Sequence, residues 1–407
     1  MNQTLAAVCA AAVVLWPRLS GAAAGELTLD AALARARDRA PSILAAQAAI
    51  DEARARLVGA TVLLRDNPEI DGGAGARFLG DGTLLEGNLG VRQVFELGGR
   101  RTARIAGATA AVTQAGATAA DVTRRLLRDA AVGFLTALEA AERQRLAEAG
   151  AALVAETVHV AERRYRAGDV GVLDVNVVTV ALARAQSEVQ ARAAAAEASR
   201  GALRVVLGMD AAEPLRVSGD LHDRRRFALT ELLARAPYRP DLQALAAEAQ
   251  VAQADARLGR ALQWPNVGVG ATYARDDGKN VALGTLSATL PVFERGQGVR
   301  AEAEARERRA TLTLETSRRT IAVEVETAFN AYRHREDAVT ELETKALPRI
   351  DANEALARRS YDVGQLSLSD LLVLRRELLD TKSEYLTRLL EAAVAGIDLE
   401  AAAGVLE

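Results

Sequence analysis

The chain consists of two copies of one unit that lie about 200 residues apart. The stretch "YRAGDVGVLDVN" at 165–176 is matched by "YDVGQLSLSDLL" at 361–372, an offset of 196. Upstream, "QVFELGGRRTA" at 93–103 matches "PVFERGQGVRA" at 291–301, an offset of 198. Matches in the same order at a nearly constant offset indicate a tandem duplication. The fold must therefore be made of two equivalent halves.

Long helices are predicted to dominate each copy. Half of the 407 residues are apolar, only 3% are aromatic and 26% are charged, which is typical of long helices packed side by side. Apolar residues also recur every seven positions, which predicts a coiled-coil seam in each copy. The seam residues are Val175, Leu182, Val189, Ala196 and Leu203 in the first copy and Leu371, Leu378, Tyr385, Ala392 and Leu399 in the second.

Each copy also contains a segment with the period of two that is typical of β-strands. In the second copy, 265–293, apolar residues alternate with glycine and threonine, "RDDGKN" predicts a hairpin turn, and the second strand is expected to end at Phe293. The first copy, 68–95, predicts a similar hairpin with "GDG" at its turn. Each strand approaches the ~9–11 residues that a tilted strand needs to cross a bilayer.

Four strands cannot close a barrel by themselves. Open sheet edges cannot face lipid because their N–H and C=O groups would be unpaired. If the strands lie in a membrane, several chains must contribute to one barrel. Phe95, Trp264 and Phe293 flank the strands, as residues of an interfacial belt would. The alternative is a pair of hairpins that cap a coiled coil in water.

The remaining elements give each copy the same order. A first helix is predicted at 28–64 and again at 229–262, and the hairpin is followed by a helical run at 100–164 or 298–360, which would extend about 95 Å. A return helix follows the "Y-x-x-G" turn. The predicted division is a signal peptide at 1–24, repeat 1 at 25–208 with long helices at 100–208, a linker at 209–228, and repeat 2 at 229–407 with long helices at 298–404.

The first 24 residues predict a secretory signal. The apolar core Leu5–Trp16 is too short to span a bilayer, and Ala22 and Ala24 form a small-x-small cleavage site, so the mature chain is expected to begin near Gly25. No Lys or Arg precedes the core, and a helix retained in the fold is the alternative. Cys9 is the only cysteine, which excludes disulfides and thiolate chemistry from the rest of the chain.

These features together resemble the TolC-type outer-membrane efflux proteins, over nearly the whole mature chain. The resemblance rests on the signal, the duplicated helix–hairpin–helix unit, "QVFELGGRRTARIAGA", "LPVFERGQGVRAEAEA" and the two "Y-x-x-G-x-x-x-x-x-D" turns. The stretch "FELGGRR" is most similar to the cobalt–zinc–cadmium branch of that family. One departure is Gly171, which stands where the second copy has Ser367, so the two turns need not contact a partner equally.

The resemblance implies an α+β membrane protein and a homotrimer. Four strands from each chain would form a twelve-stranded barrel in the outer membrane of a Gram-negative bacterium, continued by a helical coiled-coil tunnel in the periplasm. It also implies a periplasmic adaptor and an inner-membrane RND-type pump as partners, with outer-membrane lipid around the barrel. Heavy-metal cations are a candidate cargo.

The two turns are expected at the periplasmic tip of the tunnel, where an adaptor would dock. Gly364 would reverse the chain, Tyr361 would pack the turn closed, and Leu366 and Ser367 would be exposed. The matching residues of the first copy are Tyr165, Gly168 and Asp169.

Four carboxylates lie in or beside these turns. Asp174 and Asp370 are expected to be helix N-caps, with a gate of carboxylates as the alternative. Asp169 and Asp362 are expected at exposed positions of the tip.

Gly98, Gly99 and Gly296 are expected to let the chain bend from strand to helix. A phosphate-binding loop at "ELGGRR" is disfavoured because the G-K-[ST] ending is absent.

Catalytic and cofactor chemistry has little support in the sequence. His159, His222 and His334 are far apart, and no H-x-x-x-H spacing is present, so neither a resident metal nor a cofactor is expected. A net charge of −3 provides no bulk field for nucleic acid. The chain is not expected to be an enzyme. The alternative to a channel is a soluble periplasmic coiled-coil adaptor or structural protein.

Overall fold

A computed structural model describes residues 26–80 and 82–406. The predicted signal peptide, its cleavage site at Gly25 and Asp81 of the first predicted turn lie outside the described residues. The elements are α1 (Leu29–Arg39), α2 (Pro41–Thr61), β1 (Glu69–Leu79), β2 (Gly82–Phe95), α3 (Arg100–Ala167), α4 (Val172–Val206), α5 (Leu229–Arg235), a 3₁₀ turn (Ala236–Tyr238), α6 (Pro240–Ala261), β3 (Asn266–Asp276), β4 (Lys279–Thr289), α7 (Gln297–Glu341), a π-helical turn (Leu342–Ala346), α8 (Leu347–Asp362) and α9 (Leu368–Ala403).

The four strands form one antiparallel sheet in the order β1-β2-β3-β4, so the two copies meet at the β2–β3 pair. Asp277 and Gly278 form the two-residue turn of the second hairpin, both with positive φ, as a type I′ turn requires. The prediction that the last strand reaches Phe293 is wrong, because β4 ends at Thr289. Pro291 lacks the N–H that a strand ladder needs.

Two predicted helices are each interrupted before a proline. The helix predicted at 28–64 is α1 and α2, separated at Ala40, whose backbone is extended (φ −66°, ψ 133°). The helix predicted at 229–262 is α5, the 3₁₀ turn and α6, separated at Arg239 before Pro240. The residue before a proline avoids helical geometry, which explains both breaks.

The long helices run away from the sheet. Helix α3 has 68 residues and is therefore about 100 Å long. Helices α7 and α8, joined by the π-helical turn, make the matching run of the second copy. All five predicted seam residues of α9 are buried, whereas in α4 only Ala196 and Leu203 are buried.

The segment between the copies is packed against the core. Leu215 and Leu221 are buried in the same cluster as Phe134 of α3 and Leu389 of α9. Leu27 forms a parallel bridge with this segment, through a hydrogen bond from its N–H to the Arg216 carbonyl of 2.7 Å. The segment is therefore part of the hydrophobic core that α3 and α9 form.

The glycines predicted at the strand-to-helix bends have left-handed backbones. Gly98, Gly99 and Gly296 have φ values of 74°, 79° and 73°. A Cβ on Gly98 would lie 2.7 Å from Trp264 Cβ, and one on Gly296 would lie 2.6 Å from Leu262 Cβ. Gly99 faces open space. Two of the three glycines are therefore needed for close packing as well as for the bend.

Arg100 and Arg101, which follow Gly98 and Gly99, hold the ends of neighbouring helices in place, a role that the sequence analysis did not predict. Arg100 donates to the carbonyl of Trp264 (2.6 Å) and to Asn266 Oδ1 (2.7 Å), which joins the first copy's bend to the end of α6 and the start of β3. Arg101 donates to the Thr61 carbonyl at the end of α2 (2.9 Å). These guanidinium groups satisfy carbonyls that a helix end leaves unpaired.

We predict that Gly98→Ala destabilises the protein more than Gly99→Ala. Both changes place a Cβ on a left-handed backbone, which costs about 1–2 kcal/mol. Only the Cβ at Gly98 also overlaps Trp264. Thermal unfolding of the detergent-solubilised protein measures the difference, and equal midpoints for the two variants would show that the Trp264 contact is unimportant.

Candidate functional site

The two tip turns have the same backbone geometry. Gly168 and Gly364 have φ values of 86° and 78°. The Asp169 N–H donates to the Arg164 carbonyl (2.9 Å), and the Gln365 N–H donates to the Ser360 carbonyl (2.8 Å), the six-residue closure of a Schellman motif. Each glycine therefore ends one long helix and reverses the chain.

The start of each return helix contradicts the prediction that Asp174 and Asp370 are N-caps. Ser367 is the N-cap of α9, and its Oγ accepts from the Asp370 N–H (3.1 Å). Asp370 is the third residue of the helix, and its carboxylate accepts from Ser367 Oγ–H (2.7 Å). Asp174 holds the same position in α4, where the N-cap is Gly171, which has no side chain to donate or accept. The cap lies three residues earlier than predicted.

The two tyrosines of the turns lie in different environments. Tyr361 is 4% exposed and belongs to a buried cluster made by α3, α4, α8 and α9. Tyr165 is 48% exposed. Leu366 is partly buried against the same cluster, which contradicts the prediction that it is exposed, whereas Ser367 is exposed. The second turn is therefore closed by its own side chains and the first is not.

Arg164 connects the two turns. Its guanidinium carbon lies 4.8 Å from the centre of the Tyr361 ring, and its Nη2 donates to the carbonyls of Tyr361 (2.9 Å) and Asp362 (3.3 Å). A cation over an aromatic face is attracted by the ring quadrupole. The last turn of α3 thus braces the end of α8, and both turns lie at the same end of the bundle.

A buried arginine holds three helices together above the turns. Arg375 of α9 is 4% exposed. Its Nη1 donates to the Leu153 carbonyl (2.7 Å) and to the Thr157 hydroxyl, both of α3. Its Nη2 lies 3.6 Å from Glu354 Oε1 of α8. Burial lowers the pKa of Arg375. Nothing in the heptad pattern indicates a buried charge at this position, so the sequence did not predict it.

Of the four tip carboxylates, only Asp370 has a side-chain partner among the described residues, namely Ser367. In the described part of the chain, no ion pair involves Asp169, Asp174 or Asp362. Asp169 and Asp362 are exposed, and Asp174 is half-buried. Exposed carboxylates of this kind attract cations.

Most of the large apolar side chains of the sheet lie on one face, and nearly all of its charged side chains lie on the other. Residues paired across the ladder share a face, and Ile70, Val91, Ala271 and Gly284 lie in one such row. The large apolar side chains on that face are Ile70, Phe78, Leu85, Leu89, Val91, Phe95, Val267, Val269, Tyr273 and Leu286.

The opposite face carries every charged strand residue except Arg275, which adjoins the second turn. On it Arg77 pairs with Glu86 (2.7 Å) and with Asp276 (2.7 Å), and Arg92 pairs with Glu69. An apolar exterior and a polar interior are the pattern of an outer-membrane barrel strand.

The predicted interfacial aromatics lie at the helical edge of this sheet. Phe95 is the last residue of β2, Trp264 precedes β3, and Phe293 lies beyond β4. All three are exposed, Phe293 to 93%. Among the described helices, none combines the length and apolar character required to cross a bilayer. Within residues 26–80 and 82–406, no group of three or more His, Cys, Asp or Glu side chains is arranged to hold a metal ion.

The π-helical turn is held by charged contacts to the linker. Glu343 accepts from Arg224 Nη2 (2.8 Å) and from the Tyr385 hydroxyl (2.7 Å). Burial opposes ionisation of Glu343, but these two hydrogen bonds prevail and lower the pKa of its carboxyl. Burial and the Glu343 hydrogen bond raise the pKa of Tyr385. Glu343 therefore joins the π-helical turn to the linker through Arg224 and to α9 through Tyr385, and we call these two contacts the Glu343 clamp.

The two-faced sheet, joined to a bundle of helices about 100 Å long, defines the protomer of an outer-membrane channel. Residues 32–209 and 230–405 match the outer membrane efflux protein family, so the chain belongs to it. The members of this family are channel proteins and not enzymes. Membership confirms the predicted class, location and fold, and it decides against a soluble adaptor.

Individual relatives agree with this assignment. The chain is 27% identical to the cobalt-zinc-cadmium resistance protein CzcC of Cupriavidus metallidurans over 370 residues, which cover 89% of this chain and 87% of CzcC. Its fold is similar to crystal structures of CusC (TM-score 0.78, 19% identity, 92% of both chains) and to the Neisseria gonorrhoeae MtrE outer membrane channel in its open state (TM-score 0.75, 19% identity, 93% and 89% of the chains).

We predict that Glu343→Gln lowers stability at pH 7 and matters less in acid. The variant weakens two hydrogen bonds to a charged group, and each such bond is worth about 1.5–3 kcal/mol. Because the pKa of Glu343 is lower in the folded state, its contribution is present above the unfolded pKa of ~4.3 and is lost as pH falls through the lower, folded value.

Thermal unfolding in detergent between pH 7 and pH 3 measures this. Glu341→Gln is the control, since Glu341 is exposed and its one ion pair among the described residues is with the exposed Lys345. We compare the unfolding midpoints of the Glu343 variant and the natural protein. If their difference stays constant from pH 7 to pH 3, the Glu343 contacts do not stabilise the fold as proposed.

Proposed function

We propose that three copies of this chain form the outlet duct of a tripartite efflux system for divalent heavy-metal cations. The main support for the duct is the two-faced sheet, in which nearly all charged side chains lie on one face and most of the large apolar side chains lie on the other. The metal cargo is supported by the similarity to CzcC, whose name states resistance to cobalt, zinc and cadmium.

Closure of the barrel supports the trimer. In the described residues, β1 and β4 each pair with a single strand, so the sheet has two edges with unpaired backbone groups. Lipid tolerates no such edge. Twelve strands from three chains remove all edges and enclose the polar face, and the duct is then lined by the ion pairs of Arg77 and Arg92.

The tip turns are proposed as the docking site for a periplasmic adaptor that connects the duct to an inner-membrane RND-type pump. Val172 and Leu173 of the first turn and Val363 of the second are exposed, together with the half-exposed Tyr165. Ser367 also lies exposed at the second turn. Apolar side chains clustered at the end of a bundle favour contact with another helical hairpin.

The exposed carboxylates of the tip are proposed to favour entry of cations. In a trimer, Asp169 and Asp362 would each occur three times around the axis, and such rings attract cations without binding them tightly. Passage without a high-affinity site also fits the absence, in the described residues, of a metal-binding cluster.

The division into repeat 1 at 25–208, a linker at 209–228 and repeat 2 at 229–407 stays a prediction. It is supported by the matching order of elements in the two halves and by the two separate stretches, 32–209 and 230–405, that match the family. The linker is not a spacer, since Leu215 and Leu221 are buried.

We predict that a cysteine at the tip forms a crosslink to the adaptor. Ser367→Cys in a Cys9-free chain places a thiol on the exposed second turn, and a short bismaleimide reagent is expected to join it to an adaptor that carries a single cysteine in its hairpin. Thr316→Cys, which is exposed on α7 about 70 Å along the helix, is the control. Equal crosslinking from both positions would contradict docking at the tip.

We predict that a strain without this gene becomes sensitive to zinc, cobalt and cadmium, and that the natural gene restores growth. Complementation with Asp362→Asn should restore less resistance because the tip loses negative charge, while crosslinking through Ser367→Cys in the same chain stays unchanged. Sensitivity to organic drugs with unchanged metal tolerance would contradict the metal cargo and leave the duct itself intact.

A further inference from the structure

Among the described strand residues, Arg275 is the one charged side chain on the face that carries most of the large apolar side chains, here called the apolar face. Arg77 and Arg92 lie on the opposite, polar face, and both form ion pairs. Arg275 is exposed and forms no ion pair with any described side chain. On a face that meets lipid, such a guanidinium is costly unless it reaches the headgroup layer and an anion there.

The height of Arg275 in the sheet matches the outer headgroup layer. The sheet passes into the long helices beyond Phe95, and these helices lie in the periplasm, so the hairpin turns face the exterior. Arg275 lies eight residues beyond Val267, the cross-strand partner of Phe95. That is ~26 Å along the strand, or about 20 Å of height at a tilt of about 40°. The apolar band of such a barrel is about 25 Å tall, so the long side chain can reach its outer edge.

Asn280 of β4 gives Arg275 a polar neighbour. The two residues are directly opposite each other on the apolar face, and both are exposed. The neighbour of Arg275 on β2 is Gly87, which leaves the space beside the guanidinium open. Opposite residues have Cβ atoms about 5 Å apart, so one anion can accept from both side chains. A guanidinium offers two parallel N–H groups to a phosphate, and the amide adds another donor.

An apolar groove of about 490 Å³ begins one row below this pair, toward the centre of the membrane. Leu89 and Tyr273 form its walls on the apolar face. The groove exists because three residues between and beside them have a small side chain or none, namely Ala271, Ala282 and Gly284. Tyr273 lies directly between Arg275 and the groove along β3. The polar pair and the groove are therefore continuous.

We propose that this surface binds a phosphorylated lipid of the outer leaflet, and we call Arg275, Asn280 and the groove the lipid site. The phosphate would accept from the Arg275 guanidinium and the Asn280 amide, and one acyl chain would lie in the groove. A groove alone would hold any alkyl chain, and an arginine alone would attract any phosphate. Their continuity on one face selects a molecule that carries both groups. The inference rests on the proposed barrel, in which the apolar face meets lipid.

Native mass spectrometry of the full-length protein, purified in detergent and freed of lipid, tests the proposal with diphosphoryl lipid A as the probe. One lipid molecule per chain is expected. Lipid A without its phosphates keeps the acyl chains and loses the charge-assisted hydrogen bonds, so it should bind about tenfold more weakly or less. Inorganic phosphate alone has no acyl chain and should not displace the lipid at equal concentration.

Arg275→Gln separates recognition of the phosphate from recognition of the acyl chain. It should weaken binding of diphosphoryl lipid A about tenfold or more and leave binding of the dephosphorylated lipid unchanged. Lys279→Gln is the matched control, because it removes one positive charge at the same end of the sheet but from the polar face. The Lys279 variant should bind normally.

Gly284→Leu tests the groove. A Cβ at Gly284 would meet no atom within 4 Å, so the sheet has room for the larger side chain, which would occupy the groove. This variant should weaken binding of both forms of lipid A. Gly75→Leu is the control, since Gly75 is equally open but lies on the polar face.

Four results would each overturn the proposal. They are equal binding by the Arg275 and Lys279 variants, equal binding of lipid A with and without phosphate, unchanged binding by Gly284→Leu, and displacement of the lipid by inorganic phosphate. The mass of the trimer in the same spectra tests the duct separately. Trimers that bind lipid A no better than Arg275→Gln trimers contradict the lipid site and leave the duct intact.

Discussion

The unpaired edges of the four-stranded sheet are the constraint on which the whole structure depends. Strands β1 and β4 end the ladder within the described chain, and backbone groups at such edges cannot be left unpaired in lipid. Satisfying them requires further strands of the same kind, which only other copies provide. The duplication reduces the number of chains needed to close a barrel, because each copy supplies one hairpin and the β2–β3 pairing joins the two hairpins into one sheet. The need for several chains therefore follows directly from the insertion of the sheet into lipid.

A sheet that spans lipid must pass its strands directly into helices that stand in water, and the junction residues make this possible. Gly98 and Gly296 permit the chain to approach the residues just after α6, where a Cβ would overlap Trp264 or Leu262. Arg100 then donates to the carbonyl of Trp264 and to Asn266 from the opposite copy. The glycines permit close approach and the arginine pairs the carbonyls that this approach would otherwise leave unsatisfied. These contacts therefore join the sheet directly to the long helices.

Periodicity and duplication sufficed to predict the helices, the two hairpins and the turn glycines, because each depends on local sequence. The errors arose where two local signals compete. Ser367 and Asp370 are both good caps three residues apart, and only the backbone shows that Ser367 is outside the helix. Pro291 ended β4 before the apolar run reached Phe293. The contacts of Arg100 and Arg375 join residues more than 160 apart in sequence, and no periodic pattern carries that information.

The two copies share a backbone plan but differ in the chemistry of their tips. In the second turn, Tyr361 is buried beneath Arg164, and Ser367 caps the next helix. In the first turn, Tyr165 is half-exposed and Gly171 provides no cap. The guanidinium of Arg164 comes from the first copy, so that copy stabilises its neighbour while its own turn is held by fewer side chains. The two turns of the duplicated unit therefore differ in how firmly their side chains hold them, although their backbones follow the same path.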